Sequence, residues 1–198
     1  MKLHLRDINS ELTAAWRVMF ADLIAGSQVE VSYGDILDAE PADGLVSPAN
    51  SFGFMDGGID AVYLLRFGFA FQDRVRAVIE REHAGELPVG SAVLVETGDP
   101  KFPNLVVAPT MRVPGDVGGT VNAYLAMRAA LAMSDRVGLR SLLCPGLGTA
   151  VGQMDPTIAA RQMRLAWDNI VEGKRIQSLE EGRRSQAALR GLRWALDE

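Results

Sequence analysis

Only one cysteine, Cys144, occurs among the 198 residues. A lone thiol forms no intramolecular disulfide and no cysteine cluster for zinc, and it fits a reducing compartment. Histidine is nearly as scarce: His4 and His83 both have polar neighbours, read as surface positions, and leave a histidine-based mechanism without a candidate. Asp and Glu are scattered without metal-ligand spacing, so neither a metal nor a cofactor is expected. No apolar run approaches the length of a membrane span, and the charged segment at residues 1–7 lacks the apolar core of a signal peptide, so the expected location is cytoplasmic. A net charge of −5 argues against broad nucleic-acid binding, which draws on many Lys and Arg contacts to phosphate. The basic stretch at residues 161–193 reads as a solvated helical face. Repeats and low-complexity segments are also missing, and the length fits one domain with a terminal extension.

What is present is an alternation of short apolar runs with helical patterns. Leu3, Leu5 and Ile8 alternate as in a strand, after which Asn9 or Ser10 can cap a helix carrying Leu12, Trp16, Phe20, Leu23 and Ile24. Residues 29–33 alternate as a strand, and residues 43–46 form a short buried one. Helical spacing follows over residues 59–67 and 69–83, then Val-rich strands at 91–96 and 104–108, and a helix over 120–136. Residues 141–144 read as another buried strand. Asp155 as cap and Pro156 at the first position open a helix that runs to Ile170. A last helix is expected over residues 180–198, with Leu189, Leu192, Trp194 and Leu196 on its apolar side. Six strands interspersed with helices predict an α/β sandwich with a mostly parallel sheet covered on both faces. Ligands of such sheets bind beyond the carboxyl ends of the strands.

Two glycine-rich loops follow strands. The first, residues 46–60, ends in Gly57-Gly58-Ile59-Asp60 where a helix starts, a place where free amides and the helix dipole attract anions. The second runs from Pro145 to Gly152. Its Gly146-Leu147-Gly148 also suggests a dinucleotide-dependent oxidoreductase, but such a fingerprint is expected at the first strand–helix unit, with an acidic residue about 20 positions on.

Gly34-Asp35-Ile36, the segment from Val46 to Asn50, Gly57-Gly58-Ile59-Asp60 and Gly148-Thr149-Ala150-Val151-Gly152 together resemble the macro domain family, in order and spacing, along residues 29–170. The loop SPANSFGFMDGGID is similar to that of a bacterial or phage-associated branch. The resemblance implies a three-layer α/β/α sandwich with a mixed, mostly parallel six-stranded sheet. It would fill residues 1–172, with 173–198 as a C-terminal helical extension. It implies binding of ADP-ribose or an ADP-ribosylated molecule, and hydrolysis of an ADP-ribosyl linkage in a mono-ADP-ribosylated substrate or an O-acetyl or phospho derivative. A non-catalytic reader or scavenger of ADP-ribose is the alternative. The oligomeric state stays open.

On that resemblance, Asp35 accepts from the adenine amine and Ile36 packs beside the base. Gly57, Gly58 and Ile59 offer amides to one side of the diphosphate, and Gly146, Gly148, Thr149, Ala150 and Val151 belong to the loop closing over the other. Asn50 and Asp60 are the catalytic candidates, near the distal ribose. A carboxylate beside a diphosphate is repelled, so Asp60 suits ribose hydroxyls or an attacking water. Two plainer roles stay open: Asn50 tying its own loop, and Asp60 capping the helix. The sequence departs from family hydrolases at Ser47, where they often have Asn, at Asp56, where they often have a longer glycine run, and at Ala108-Pro109-Thr110-Met111, where many members carry His. Phe52, Phe54 and Met55 are candidates for a wall or lid, with core packing the competing reading for two of the three.

Overall fold

A computed structural model describes residues 1–191 of the chain. In order these form β1 (Lys2–Asp7), α1 (Ser10–Met19), α2 (Ala21–Ala25), β2 (Val29–Tyr33), a short 3-10 turn (Ile36–Asp38) and β3 (Gly44–Ser47). There follow α3 (Gly58–Phe67), α4 (Ala70–His83), β4 (Val93–Glu96), β5 (Asn104–Val107), α5 (Asn122–Arg136), β6 (Ser141–Cys144), α6 (Pro156–Ile170) and α7 (Leu179–Leu189). The six strands make one mixed sheet in the order β2-β1-β6-β3-β5-β4. Every neighbouring pair is parallel except β4 with β5.

The period of two along each strand divides the core between the two faces. Leu3, Leu5, Val46, Val106, Leu142 and Cys144 face one side, where Leu12 and Trp16 of α1, the alanine-rich face of α5, and Met163 and Trp167 of α6 cover them. Leu45, Leu105, Val107 and Leu143 face the other, against Tyr63 of α3 and Phe71, Val75 and Ile79 of α4. Small residues on α5 and α6, among them Ala126, Ala130, Ala159 and Ala160, let these helices pack closely on the sheet and on each other. On its second side the β1–β2 half is polar rather than covered by a helix. His4 is half-buried there, not a free surface residue: its Nε2 lies 2.8 Å from Ser32 Oγ, and burial lowers its pKa. Arg6 donates to Ser32 Oγ and to the carbonyl of Asp35.

The expected first helix is broken. At Phe20 the backbone leaves helical geometry (φ −109°, ψ 17°), and the chain restarts as α2. The cause lies far along the chain, where Arg164 Nη1 donates to the carbonyl of Met19 at 2.8 Å and the same guanidinium holds Asp22. Ile8 differs as well: it lies beyond β1 and is 71% exposed. The last helix ends at Leu189 and docks on the domain by burying Ala187 and Leu189, while Gln162 Nε2 of α6 donates to the carbonyl of Leu189 at 2.7 Å. Leu192, Trp194 and Leu196 lie outside the described residues. Among the described residues no helix is long and apolar enough to cross a membrane.

The start of α6 follows the sequence signal. Asp155 Oδ1 accepts from the amides of Thr157 and Ile158 at 2.8 and 3.0 Å, and Pro156 occupies the first turn. Replacing Asp155 with Ala strands both donors. The expected cost is about 1 kcal/mol, read as a lower urea midpoint at unchanged slope.

Candidate functional site

Parallel pairing brings the carboxyl ends of β1, β6, β3 and β5 to one edge of the sheet, and the segments leaving them enclose a cavity of about 410 Å³. Its wall takes Asp7, Ile8 and Asn9 from the end of β1, Pro48 to Asn50 from β3, and Thr110 and Met111 from β5. The start of α3 and the loop from Pro145 to Gly152 complete it.

The loop after β3 is held by its own asparagine. Asn50 Nδ2 donates to the carbonyl of Phe54 at 2.7 Å, while Oδ1 accepts from the amides of Phe52 and Phe54. Both ends of the side chain are therefore occupied, the loop-tying role that the sequence left open. Gly53 sits at φ +70° against Ile79 and Val75, where a Cβ has no room. Met55 is core, its amide held by Gln72 Oε1. Phe54 lines the cavity with 44% of its surface exposed and carries the Arg76 guanidinium 4.6 Å above its ring. Phe52 lies outside the lining, beneath Arg112.

Next, α3 begins without a side-chain cap, at Gly57 in extended geometry and Gly58 at φ +57°. The amides of Gly57, Gly58 and Ile59 have no acceptor among the described residues, as expected of a helix start, and they border the cavity. Asp60 does not cap. It turns inward, 6% exposed, and takes a hydrogen bond from Ser47 Oγ at 2.6 Å on one carboxylate oxygen. Ser47, which replaces the Asn frequent in family hydrolases, thus meets Asp60 directly. Burial pushes the Asp60 carboxyl up to about 7, and the Ser47 hydrogen bond only partly offsets it. Beneath it, Tyr63 donates to the carbonyl of Val46, its phenol raised well above the usual range by burial and the nearby carboxylates.

Opposite stands the second glycine loop. Gly148 takes φ +74°, its carbonyl accepts from Met154, and the carbonyl of Gly152 accepts from Val117. The amides of Gly148, Thr149, Ala150 and Val151 have no acceptor among the described residues. Gly146 differs: its amide is spent on Asp7 Oδ2 at 2.8 Å, so it shapes the cavity without an N–H to offer. A Cβ on Gly58 would lie 3.8 Å from Val151 Cγ2, so the two loops face each other across the cavity.

Asp35 and Ile36 are not brought into this wall. The Asp35 carboxylate accepts from the amide of Leu37 at 2.9 Å, and Ile36 is buried in the second core. Asp7, Ile8 and Asn9 take that end of the cavity, and sequence reasoning passed them over. Their signal was their position immediately after an alternating strand, at its carboxyl end. Cys144 is buried beneath the loop, with its thiol pushed well up by burial.

The family model described as Macro domain matches residues 46–163, more than half of the chain. The chain belongs to the macro domain family. An uncharacterized protein of Aquifex aeolicus is 38% identical over 135 residues, covering 68% of this chain and 78% of its own. One of Aeropyrum pernix is 34% identical over 164 residues and covered to 82% in both. Among solved structures, a variant of the Oceanobacillus iheyensis macrodomain with ADPR superposes with a TM-score of 0.61 at 15% identity, over 78% of this chain and 88% of that one. The macrodomain of Mycobacterium tuberculosis DarG gives 0.58 at 21% identity, over 70% and 88%. These likenesses carry the fold. In this macro domain β1, α1 and β2 precede the segment that the family model matches.

The buried carboxyl of Asp60 makes stability depend on pH. Folded Asp60 keeps its proton to about 7 and the unfolded chain loses it near 3.8. The folded state binds the extra proton between those values, so stability falls as pH rises through that window and levels off above it. Asp60→Asn removes this slope. Urea unfolding at about pH 5 and about pH 8 should show the wild type losing on the order of 2 kcal/mol more than the variant between the two.

Proposed function

We propose that this macro domain binds ADP-ribose along the carboxyl edge of the sheet and hydrolyses the bond between its distal ribose and an acceptor. The observation that carries the reading is the pair of opposed loops. Amides of Gly57, Gly58 and Ile59 on one side, and of Gly148 to Val151 on the other, border one cavity without acceptors among the described residues. A diphosphate between them takes hydrogen bonds from both. Two solved structures of one relative add support, a variant of the Oceanobacillus iheyensis macrodomain with ADPR and the macrodomain with ADP.

In this reading Asp60 supplies the chemistry and Asn50 shapes the loop. One oxygen of Asp60 is held by Ser47, and the side chain borders the cavity. The oxygen of a water attacks the anomeric carbon as the bond to the acceptor breaks; Asp60 takes the water's proton, and the departing group leaves with its electron pair and takes a proton from solvent, to which Asp60 later returns its own. A carboxyl raised to about 7 is matched to that task near neutral pH. The adenine lies at the β1 end, where Asp7, Ile8 and Asn9 form the wall, and Asp35 contributes from just beyond it. A reader without turnover remains the competing reading, favoured by the fully occupied side chain of Asn50.

Calorimetry with ADP-ribose, AMP and NAD, paired with a release assay on a mono-ADP-ribosylated substrate, separates the readings. The expected result is saturable binding of ADP-ribose and measurable release by the wild type. Asp60→Asn should lose about 100-fold or more of the rate and keep its affinity for ADP-ribose within about 3-fold. Binding without any release by the wild type leaves a reader, and no binding overturns the ligand.

A further inference from the structure

The second glycine loop is braced by a segment that does not itself line the cavity. Val117 is buried, and its amide donates to the carbonyl of Gly152 at 2.8 Å. Its Cγ2 lies so close to the loop that a Cβ built on Gly148 or Gly152 would stand 3.1 or 2.6 Å from it. Val117 is fixed in turn by Thr120, whose amide and hydroxyl both donate to its carbonyl, at 3.0 and 2.7 Å. Glycine backbone keeps one conformation only where its surroundings impose it, so the loop depends on this brace for the direction of its amides.

The brace is tied to the far end of the chain through one side chain. Gln162 of α6 is fully buried, and its Nε2 donates both to the carbonyl of Thr120 at 2.8 Å and to the carbonyl of Leu189 at 2.7 Å, while its Oε1 accepts from the amide of Tyr124 at 3.1 Å. Thr120 and Tyr124 flank the start of α5, and Leu189 is the last residue of α7. A second tie lies at the surface, where Arg190 Nη2 reaches the carbonyl of Gly119 at 3.4 Å. Gly191, at φ +69°, comes so near Ile158 of α6 that no Cβ fits. All of α7 lies beyond residue 163, where the match to the family model ends.

We propose that Gln162 is a positioning residue for the second glycine loop, and that docking of α7 holds it to that task. This rests on the ADP-ribose reading above, in which the loop takes one side of the diphosphate. With α7 in place, the two N–H groups of Gln162 are both spent and the side chain is pinned between Leu189 and Thr120. When α7 leaves, a fully buried amide loses an acceptor, a costly state that the side chain relieves by turning away from Thr120 or by admitting water. The change passes from Gln162 to Thr120, Val117 and Gly152. A row of amides set in advance binds a diphosphate without first having to be ordered, so the C-terminal helix raises affinity from a place that no ligand touches.

Two full-length variants break the tie from opposite ends. Leu189→Asp puts a charge into the buried seat of α7, and Gln162→Met keeps the length of the side chain but removes its amide. Asp22→Ala is the control: it cuts the ion pair of Arg164, which stands two positions from Gln162 and on the opposite side of α6. Hydrogen exchange without ligand reads the loop through the amides of Val117 and Met154, which hold the carbonyls of Gly152 and Gly148, and calorimetry with ADP-ribose reads the site. In both variants these two amides should exchange at least about ten-fold faster, with the amide of Ile79 in the second core unchanged within about two-fold, and ADP-ribose should bind at least about five-fold weaker; Asp22→Ala should move neither. A merely structural Gln162 lowers the urea midpoint and leaves loop exchange and affinity at wild-type values. That result in Leu189→Asp, with the amides of α7 exchanging freely, overturns the proposal, and Leu189→Asp decides alone where Gln162→Met does not fold. Faster loop exchange at undiminished affinity overturns it as well, because the site then binds without the brace. Failure of the wild type to bind ADP-ribose is a different result: it overturns the ligand reading, while exchange still reports whether the loop is tied to α7.

Discussion

A single carboxylate joins three parts of the site. Asp7 ends β1, accepts from the amide of Asn9 at 2.8 Å, and accepts from the amide of Gly146 at 2.8 Å. Asn9 in turn caps α1 through the amides of Glu11 and Leu12. The end of one strand, the start of a helix and the glycine loop of another strand are thereby fixed to one group. The approach is close enough that Gly146 has no space for a Cβ, which would run into Leu12, Thr149 and Asp7 itself. The loop from Gly148 to Val151 is carried on that joint, and so is its distance from the start of α3.

The other half of the cavity is organised by hydrogen bonds of the same kind but shorter reach. Asn50 closes five residues of loop around its own side chain, and Ser47 turns Asp60 away from the helix start it would otherwise cap. The helix is left with bare amides, and the carboxylate is left in a place that raises its affinity for protons. One arrangement thus yields two different chemical surfaces: a donor row for an anion, and an acceptor next to it for a hydroxyl or water.

Local signals were legible in the sequence. Asp155 with Pro156 marked the start of α6, residues 141–144 coincide with β6, and both glycine loops lie at strand ends. Composition and periodicity suffice there because the determinants lie within a few residues of each other. The break at Phe20 depends on Arg164, which no window around Phe20 contains. The exchange of Asp35 and Ile36 for Asp7 and Ile8 in the cavity wall follows from strand order: β1 and β2 end level, but β2 is the edge strand and β1 stands between it and β6. Ile8 is out of phase with Leu3 and Leu5, and a period of two already put it off their buried face. Resemblance supplied the ligand class, whereas the occupied side chain of Asn50 and the pairing of Ser47 with Asp60 required coordinates.

The position of β1 also bears on how the chain acquires its shape. β1, which precedes the other five strands of the sheet in the chain, lies inside it, between β2 and β6, and the bond from Gly146 to Asp7 spans 139 residues. β1 can pair with β2 as soon as both exist, but its other edge stays open until β6 has been synthesised. Closing so long a segment costs entropy before any contact repays it, and it slows folding relative to topologies with local pairing. Until then a row of unpaired backbone groups is exposed, a template for wrong partners. Assembly of the second glycine loop against β1 therefore belongs to the end of folding, and the nascent chain has no finished cavity before that step.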